Sequence, residues 1–191
     1  MSDNVSARDA PGAENRAPVA GRRQRFQGDI DIRIATDGTW LYAGTPIERI
    51  ELVKLFATML KRDEGGDFWL ETPEEKARIA VDDAPFTIVA MNWTKDEEGK
   101  TAVTLRTNLD EEVALDEKHP LWMADRPESE GPRPYVAIEK GLNALITRSV
   151  YHEMVNGGSL ETLDGEEHLG LWSKGRFFSL GATGTTANDA Q

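Results

Sequence analysis

Ile30, Ile32 and Ile34 alternate with Asp31 and Arg33, the period-two pattern of a strand with one buried face. Asp37-Gly38 follows and predicts a hairpin into a second short strand at Trp40 and Tyr42. Thr45-Pro46-Ile47-Glu48 then reads as a helix start. Thr45 is suited to cap, Pro46 to the first helical position, and Glu48 to bond back to the Thr45 amide. The helix predicted from there carries Ile50, Val53, Phe56, Ala57 and Leu60 on a broad apolar face and ends before Gly65-Gly66.

Four more extended segments follow: 67–71, 75–81, 86–93 and 101–108. Ala77, Ile79 and Val81 share one face, and so do Val103 and Leu105, with Arg106 and Asn108 projecting oppositely. The stretch from Phe86 to Trp93 is apolar on both faces and reads as a central strand. Val113 and Leu115 predict a short strand, 120–134 a loop rich in proline, and 135–138 a brief strand. A second helix is predicted over 141–155, with Leu142, Leu145, Ile146 and Val150 inward and Asn156-Gly157-Gly158 as a left-handed stop. Two strands around Lys174-Gly175 read as a closing hairpin.

Each half thus contains strands, an apolar run and one helix, a weak internal echo. The expected fold class is α+β, with two related small domains of antiparallel strands and one main helix each, at 26–98 and 99–181. Residues 1–25 have no Leu, Ile, Phe, Tyr or Trp and are expected to be a disordered tail; 182–191 are expected to fray.

The 191 residues carry 22 Lys and Arg against 34 Asp and Glu, a net charge of -12. That balance opposes generic DNA or RNA binding, which draws its affinity from cations on phosphates, and opposes docking on anionic membranes. No stretch approaches the length of an apolar membrane span, and a cytoplasmic location is expected. Without cysteine there is no disulfide, thiol nucleophile or cysteine metal site.

His119, His152 and His168 form no zinc-type spacing, so no metal or cofactor is expected. Gly170 to Gly175 places Ser173 at the wrong offset for a nucleophile elbow and reads as a hairpin turn. Acidic pairs such as Asp82-Asp83 read as turn residues and solvated faces, and the five tryptophans as core or domain-interface residues. The cations Lys76, Arg78, Arg106 and Arg148 stand at strand and helix positions in this acidic chain. Arg148 and Tyr151 lie three apart on the predicted second helix. Arginine beside an aromatic ring suits a small anion bearing a flat ring, such as a nucleotide. Ordinary surface pairing with carboxylates is the competing explanation.

Several segments together resemble a bacterial family, domain-of-unknown-function family 1285 (DUF1285). They include Asp37-Gly38-Thr39-Trp40, Gly44-Thr45-Pro46-Ile47, Thr72-Pro73-Glu74-Glu75-Lys76, Asp83-Ala84-Pro85-Phe86 and Arg106-Thr107-Asn108. His119-Pro120-Leu121, Arg133-Pro134-Tyr135-Val136, Arg148 with Tyr151, and Leu169 through Ser173 complete the series. The acidic loop Asp125 to Gly131 departs from the family pattern. The resemblance implies a duplicated α+β core, a C-terminal half like a pleckstrin-homology barrel closed by a helix, and a groove between the copies for a nucleotide-derived ligand in signal transduction. Carried over by position, Lys76, Arg106, Asn108, Tyr135, Arg148 and Tyr151 are expected near that groove. Two other readings stay open. One is a protein-interaction adaptor working by strand addition. The other is an enzyme in which His119 or His152 meets Glu75.

Overall fold

The computed structural model describes residues 25–95, 97–126 and 131–186. The first sheet holds β1 (Arg25–Ile34), β2 (Trp40–Tyr42), β3 (Thr45–Pro46), β4 (Leu60–Arg62), β5 (Phe68–Glu71) and β6 (Glu75–Val81), in the order β3-β2-β1-β6-β5-β4. The second holds β7 (Phe86–Lys95), β8 (Thr101–Thr107), β9 (Glu112–Ala114), β10 (Leu121–Ala124), β11 (Arg133–Ala137) and β12 (Asn143–Ile146), in the order β10-β11-β12-β7-β8-β9. Read from the other edge, the second order is the first with six added to every strand. In both, two antiparallel meanders are joined through a parallel pairing of the first and last strands, β1 with β6 and β7 with β12. This is the duplication, and it resides in topology. Both sheets are open, each ending in edge strands, so the expected closure of the C-terminal half into a barrel is not seen.

The helices do not share a place in the repeat. α1 (Ile50–Met59) connects the two meanders of the first repeat, where the second has only the loop 115–120. α2 (Arg148–Gly157) follows the last strand of the second repeat and packs on β7 and on β14 (Glu166–Ser173). β14 is the middle strand of an antiparallel three-stranded sheet, between β13 (Ser159–Leu163) and β15 (Arg176–Thr186). Ile34, Trp40, Phe86, Ile88, Leu105, Met154, Leu171 and Phe178 belong to one continuous buried cluster, so both repeats and the third sheet share a core.

Thr45 is not a helix cap. Ala43 and Gly44 both take positive φ (48° and 75°), the backbone of a tight hairpin, which pairs Tyr42 with Thr45 and draws Thr45-Pro46 into β3. α1 starts at Ile50 with Arg49 at its cap and no side-chain cap bond. The second helix starts at Arg148 instead of 141, because Asn143–Ile146 is β12, inserted between β11 and β7. Leu145 and Ile146 are apolar because a central strand is covered on both faces. The predicted loop 120–134 contains β10, and β13 and β4 were not anticipated. Gly158 ends α2 in extended backbone (φ -74°) instead of a left-handed cap. Its glycine identity has a packing cause: a Cβ there would stand 2.9 Å from the Gly170 carbonyl oxygen of β14.

Phe86–Lys95, placed in the N-terminal unit by a boundary at 98, is hydrogen-bonded within the second sheet. Residues 181–186 are part of β15. The expected tail 1–25 and fraying 182–191 are corrected where Arg25 opens β1 and 182–186 continue β15; the remainder of both expectations, 1–24 and 187–191, lies outside the described residues. Trp40 is buried as expected, but Trp93, Trp122 and Trp172 are 45%, 37% and 42% exposed, contrary to a core role. No helix among the described residues is long and apolar enough to cross a membrane.

Candidate functional site

An open cleft of about 720 Å³ lies between the repeats. The β1–β2 turn contributes Thr36 and Asp37, the start of β7 contributes Thr87, and β11 contributes Arg133 and Pro134. The fourth wall is the end of β12 and the first turns of α2, with Thr147, Arg148 and Tyr151. Arg148 and Tyr151, three residues apart, face the same cleft because a helix returns to one side within a turn. Arg148 Nε donates to His152 Nε2 at 3.4 Å; among the described residues no carboxylate lies within ion-pair distance of Arg148. Asp37 is the acid among the described lining residues, and the Thr39 amide, donating at 2.9 Å, holds its carboxyl below the usual range.

Behind Arg133 stands a polar cluster organised by Asp83, whose side chain is 5% exposed. Asp83 accepts from Arg133 at 2.7 Å, from the Tyr135 hydroxyl at 2.8 Å and from Arg126. Burial pushes the Tyr135 phenol up, Arg126 opposes this, and Asp83 adds to the rise. Trp122 stacks on Tyr135 with ring centroids 5.8 Å apart. Asp83 belongs to the short link between the repeats. Its neighbour Asp82 receives both the Nε and a terminal nitrogen of Arg33, at 2.7 and 2.8 Å. Asp82 is thus an exposed turn residue, as read, that also holds an ion pair, while the reading of Asp83 as solvated is corrected: its side chain is buried and ion-paired.

Of the six residues expected at the groove, Arg148 and Tyr151 line this cleft. Asn108 braces its wall, accepting from the Thr87 amide at 3.1 Å and donating to the Gly38 carbonyl at 3.2 Å, so it ties the two repeats together. Tyr135 stands one layer back, in the Asp83 cluster. Lys76 sits over the Trp69 ring at 4.5 Å, and Arg106 pairs with Asp110 at 3.0 Å; neither lines the cleft. Arg133 and Asp83 were missed as site residues, although both lie in segments that carried the family resemblance.

The histidines are engaged locally: His119 with Asp116 at 3.1 Å, His152 with Arg148, and His168 with Ser179 at 2.8 Å. Glu75 makes turn bonds to Thr72 through its backbone. No group of three His, Asp or Glu among the described residues is arranged to hold a metal. Ser173, read as part of a turn, is fully buried and pins the third sheet to the second. Its hydroxyl donates to the Leu115 carbonyl at 2.6 Å and accepts from the Val103 amide at 3.0 Å.

The N-terminal domain model of DUF1285, a domain of unknown function, matches residues 17–84, and the C-terminal domain model matches 85–180. The junction at 84/85 falls where β7 opens the second sheet. A DUF1285 family protein from Silicibacter pomeroyi DSS-3 is 42% identical, with a TM-score of 0.74 over 90% of this chain and 91% of its own. Another, from Shewanella baltica OS155, is 26% identical, with a TM-score of 0.52 over 66% of this chain and 91% of its own. No curated protein matches the chain. With both halves matched by the two models in sequence order, and a solved relative 42% identical along nearly the whole length, the chain belongs to the DUF1285 family.

Proposed function

We propose that the protein is a cytoplasmic, non-catalytic sensor in signal transduction that binds a small anionic, nucleotide-derived ligand in the cleft between its repeats. The observation that carries this reading is the pairing of Arg148 and Tyr151 on one wall, with the guanidinium unclaimed by any described carboxylate. A phosphate would take a charge-assisted bond from Arg148 at the N-terminal turn of α2, where the helix dipole also favours an anion. A flat base suits the Tyr151 ring. Asp37 supplies an acceptor for a sugar hydroxyl. Among the described residues no histidine–carboxylate pair lines the cleft, and binding alone is assigned to it.

A thermal-shift screen of nucleotides and nucleotide-derived second messengers, with tripolyphosphate as the ring-free control, tests the reading. A ligand at 100 times its dissociation constant stabilises the fold by about 2.7 kcal/mol. Stabilisation by nucleotides above that by tripolyphosphate supports it, and none by any of them refutes it.

A second reading, an adaptor docking partners on a pleckstrin-homology-like C-terminal half, rests on β13. It is an edge strand with Leu160 52% and Leu163 38% exposed, open to strand addition.

A further inference from the structure

Phe86 and Thr87 are consecutive in β7 and so point to opposite faces of the sheet. Thr87 lines the cleft described above; Phe86 lines a separate cavity of about 390 Å³. This second cavity, about as open to solvent as the first, also lies between the repeats, bordered by α1, the β8–β9 turn and the link from β11 to β12. Its floor is apolar: Phe86, Leu109, Ile138 and Leu142, each at most 8% exposed.

Its rim carries Lys54, Asp110, Glu111, Glu139 and Lys140. Lys54 binds Asp110 at 3.2 Å and Arg106 binds it at 3.0 Å, so Asp110 is already neutralised. Among the described residues Lys140 reaches only the uncharged Thr58 carbonyl, at 3.4 Å. Among the described residues Glu111 and Glu139 have no ion-pair partner. What remains for a ligand is Lys140, the surplus positive charge of Lys54 and Arg106 on the one carboxylate of Asp110, and two carboxylates around an apolar floor.

We propose that this cavity binds a zwitterionic amino acid with an apolar side chain. The carboxylate meets Lys140, the ammonium meets Glu139 and Glu111, and the side chain covers the Phe86 and Leu142 floor. A purely anionic ligand would face two unpaired carboxylates, and a purely cationic one would leave Lys140 without a partner.

The test is titration calorimetry of the full chain with leucine, N-acetyl-leucine and leucinamide, combined with amide NMR mapping. Leucine is expected to bind and to move resonances at 109–111 and 138–142. Removing either ligand charge, or Glu139→Gln or Lys140→Gln in the protein, is expected to weaken binding by at least about tenfold, the scale of one lost charge-assisted bond. Unchanged melting of the two variants shows that the loss is local; if they melt lower, the two modified ligands on the wild type decide alone. Leucinamide or N-acetyl-leucine binding as well as leucine overturns the proposal, as does failure of leucine to bind. Shifts confined to Thr36, Asp37 and 147–151 overturn it too, since they would place leucine in the other cleft.

Discussion

The hydroxyl of Tyr135 donates a 2.8 Å hydrogen bond to the carboxylate of Asp83, 52 residues earlier in the chain. Tyr135 is in the second repeat and Asp83 in the link that leaves the first, so the bond fastens the link to β11. Arg133 is held by the other carboxylate oxygen and lines the cleft, which makes Asp83 the anchor of one cleft wall.

Truncating Asp83 removes the carboxylate that the Tyr135 hydroxyl, Arg133 and Arg126 share. Asp83→Ala is expected to cost about 2 kcal/mol, the scale of lost hydrogen bonds to a charged group, because the two guanidinium groups are 40% and 35% exposed and water replaces part of what each loses. Tyr135→Phe removes one bond and should cost about 1 kcal/mol. Urea unfolding of the two variants measures both. Equal, negligible losses would mean that the cluster contributes nothing net.

A second prediction separates two polar residues near the turns of the first repeat. Asn108→Ala removes the bonds to Thr87 and Gly38 that join the repeats and should cost about 1–2 kcal/mol. Thr45→Ala should stay within about 0.5 kcal/mol, because Thr45 is exposed in β3 and caps nothing. The same unfolding curves check both.

Acid stability depends on Asp116. Burial raises its pKa, but hydrogen bonds from Lys174, from the His119 ring and from the His119 and Lys118 amides outweigh burial and hold it at about 2. A folded value below the unfolded 3.8 stabilises the protein above pH 4, and the gain disappears as pH falls toward 2. A shift of that size corresponds to about 2 kcal/mol. Asp116→Asn should therefore be less stable than wild type at pH 7 and close to it near pH 2. A difference that does not shrink with acid would refute the linkage.

The strands with one buried face were legible because their alternation is strict. Ile32 and Ile34 in β1 and Val103 and Leu105 in β8 are buried as their spacing demands. β12 was not legible: Asn143 to Ile146 is a short apolar run covered on both sides, and such a run satisfies a helical period as well as a strand. At Thr45-Pro46 two local signals competed, and the Ala43-Gly44 hairpin prevailed over the helix start. In the site, Arg148 and Tyr151 were legible through helical spacing alone. Asp83 was not, since its partners Arg126 and Arg133 are 43 and 50 residues away and no local pattern announces them.

The reading of the cleft stands or falls on Arg148. Unfolding midpoints of wild type and Arg148→Ala should be measured with and without the best-stabilising nucleotide of the screen. The account predicts stabilisation of the wild type by about 2.7 kcal/mol at 100 times the dissociation constant. It predicts no ligand effect on Arg148→Ala, whose free stability should change by less than about 1 kcal/mol because the residue is exposed and has no carboxylate partner among the described residues. Equal stabilisation of the two proteins would contradict it.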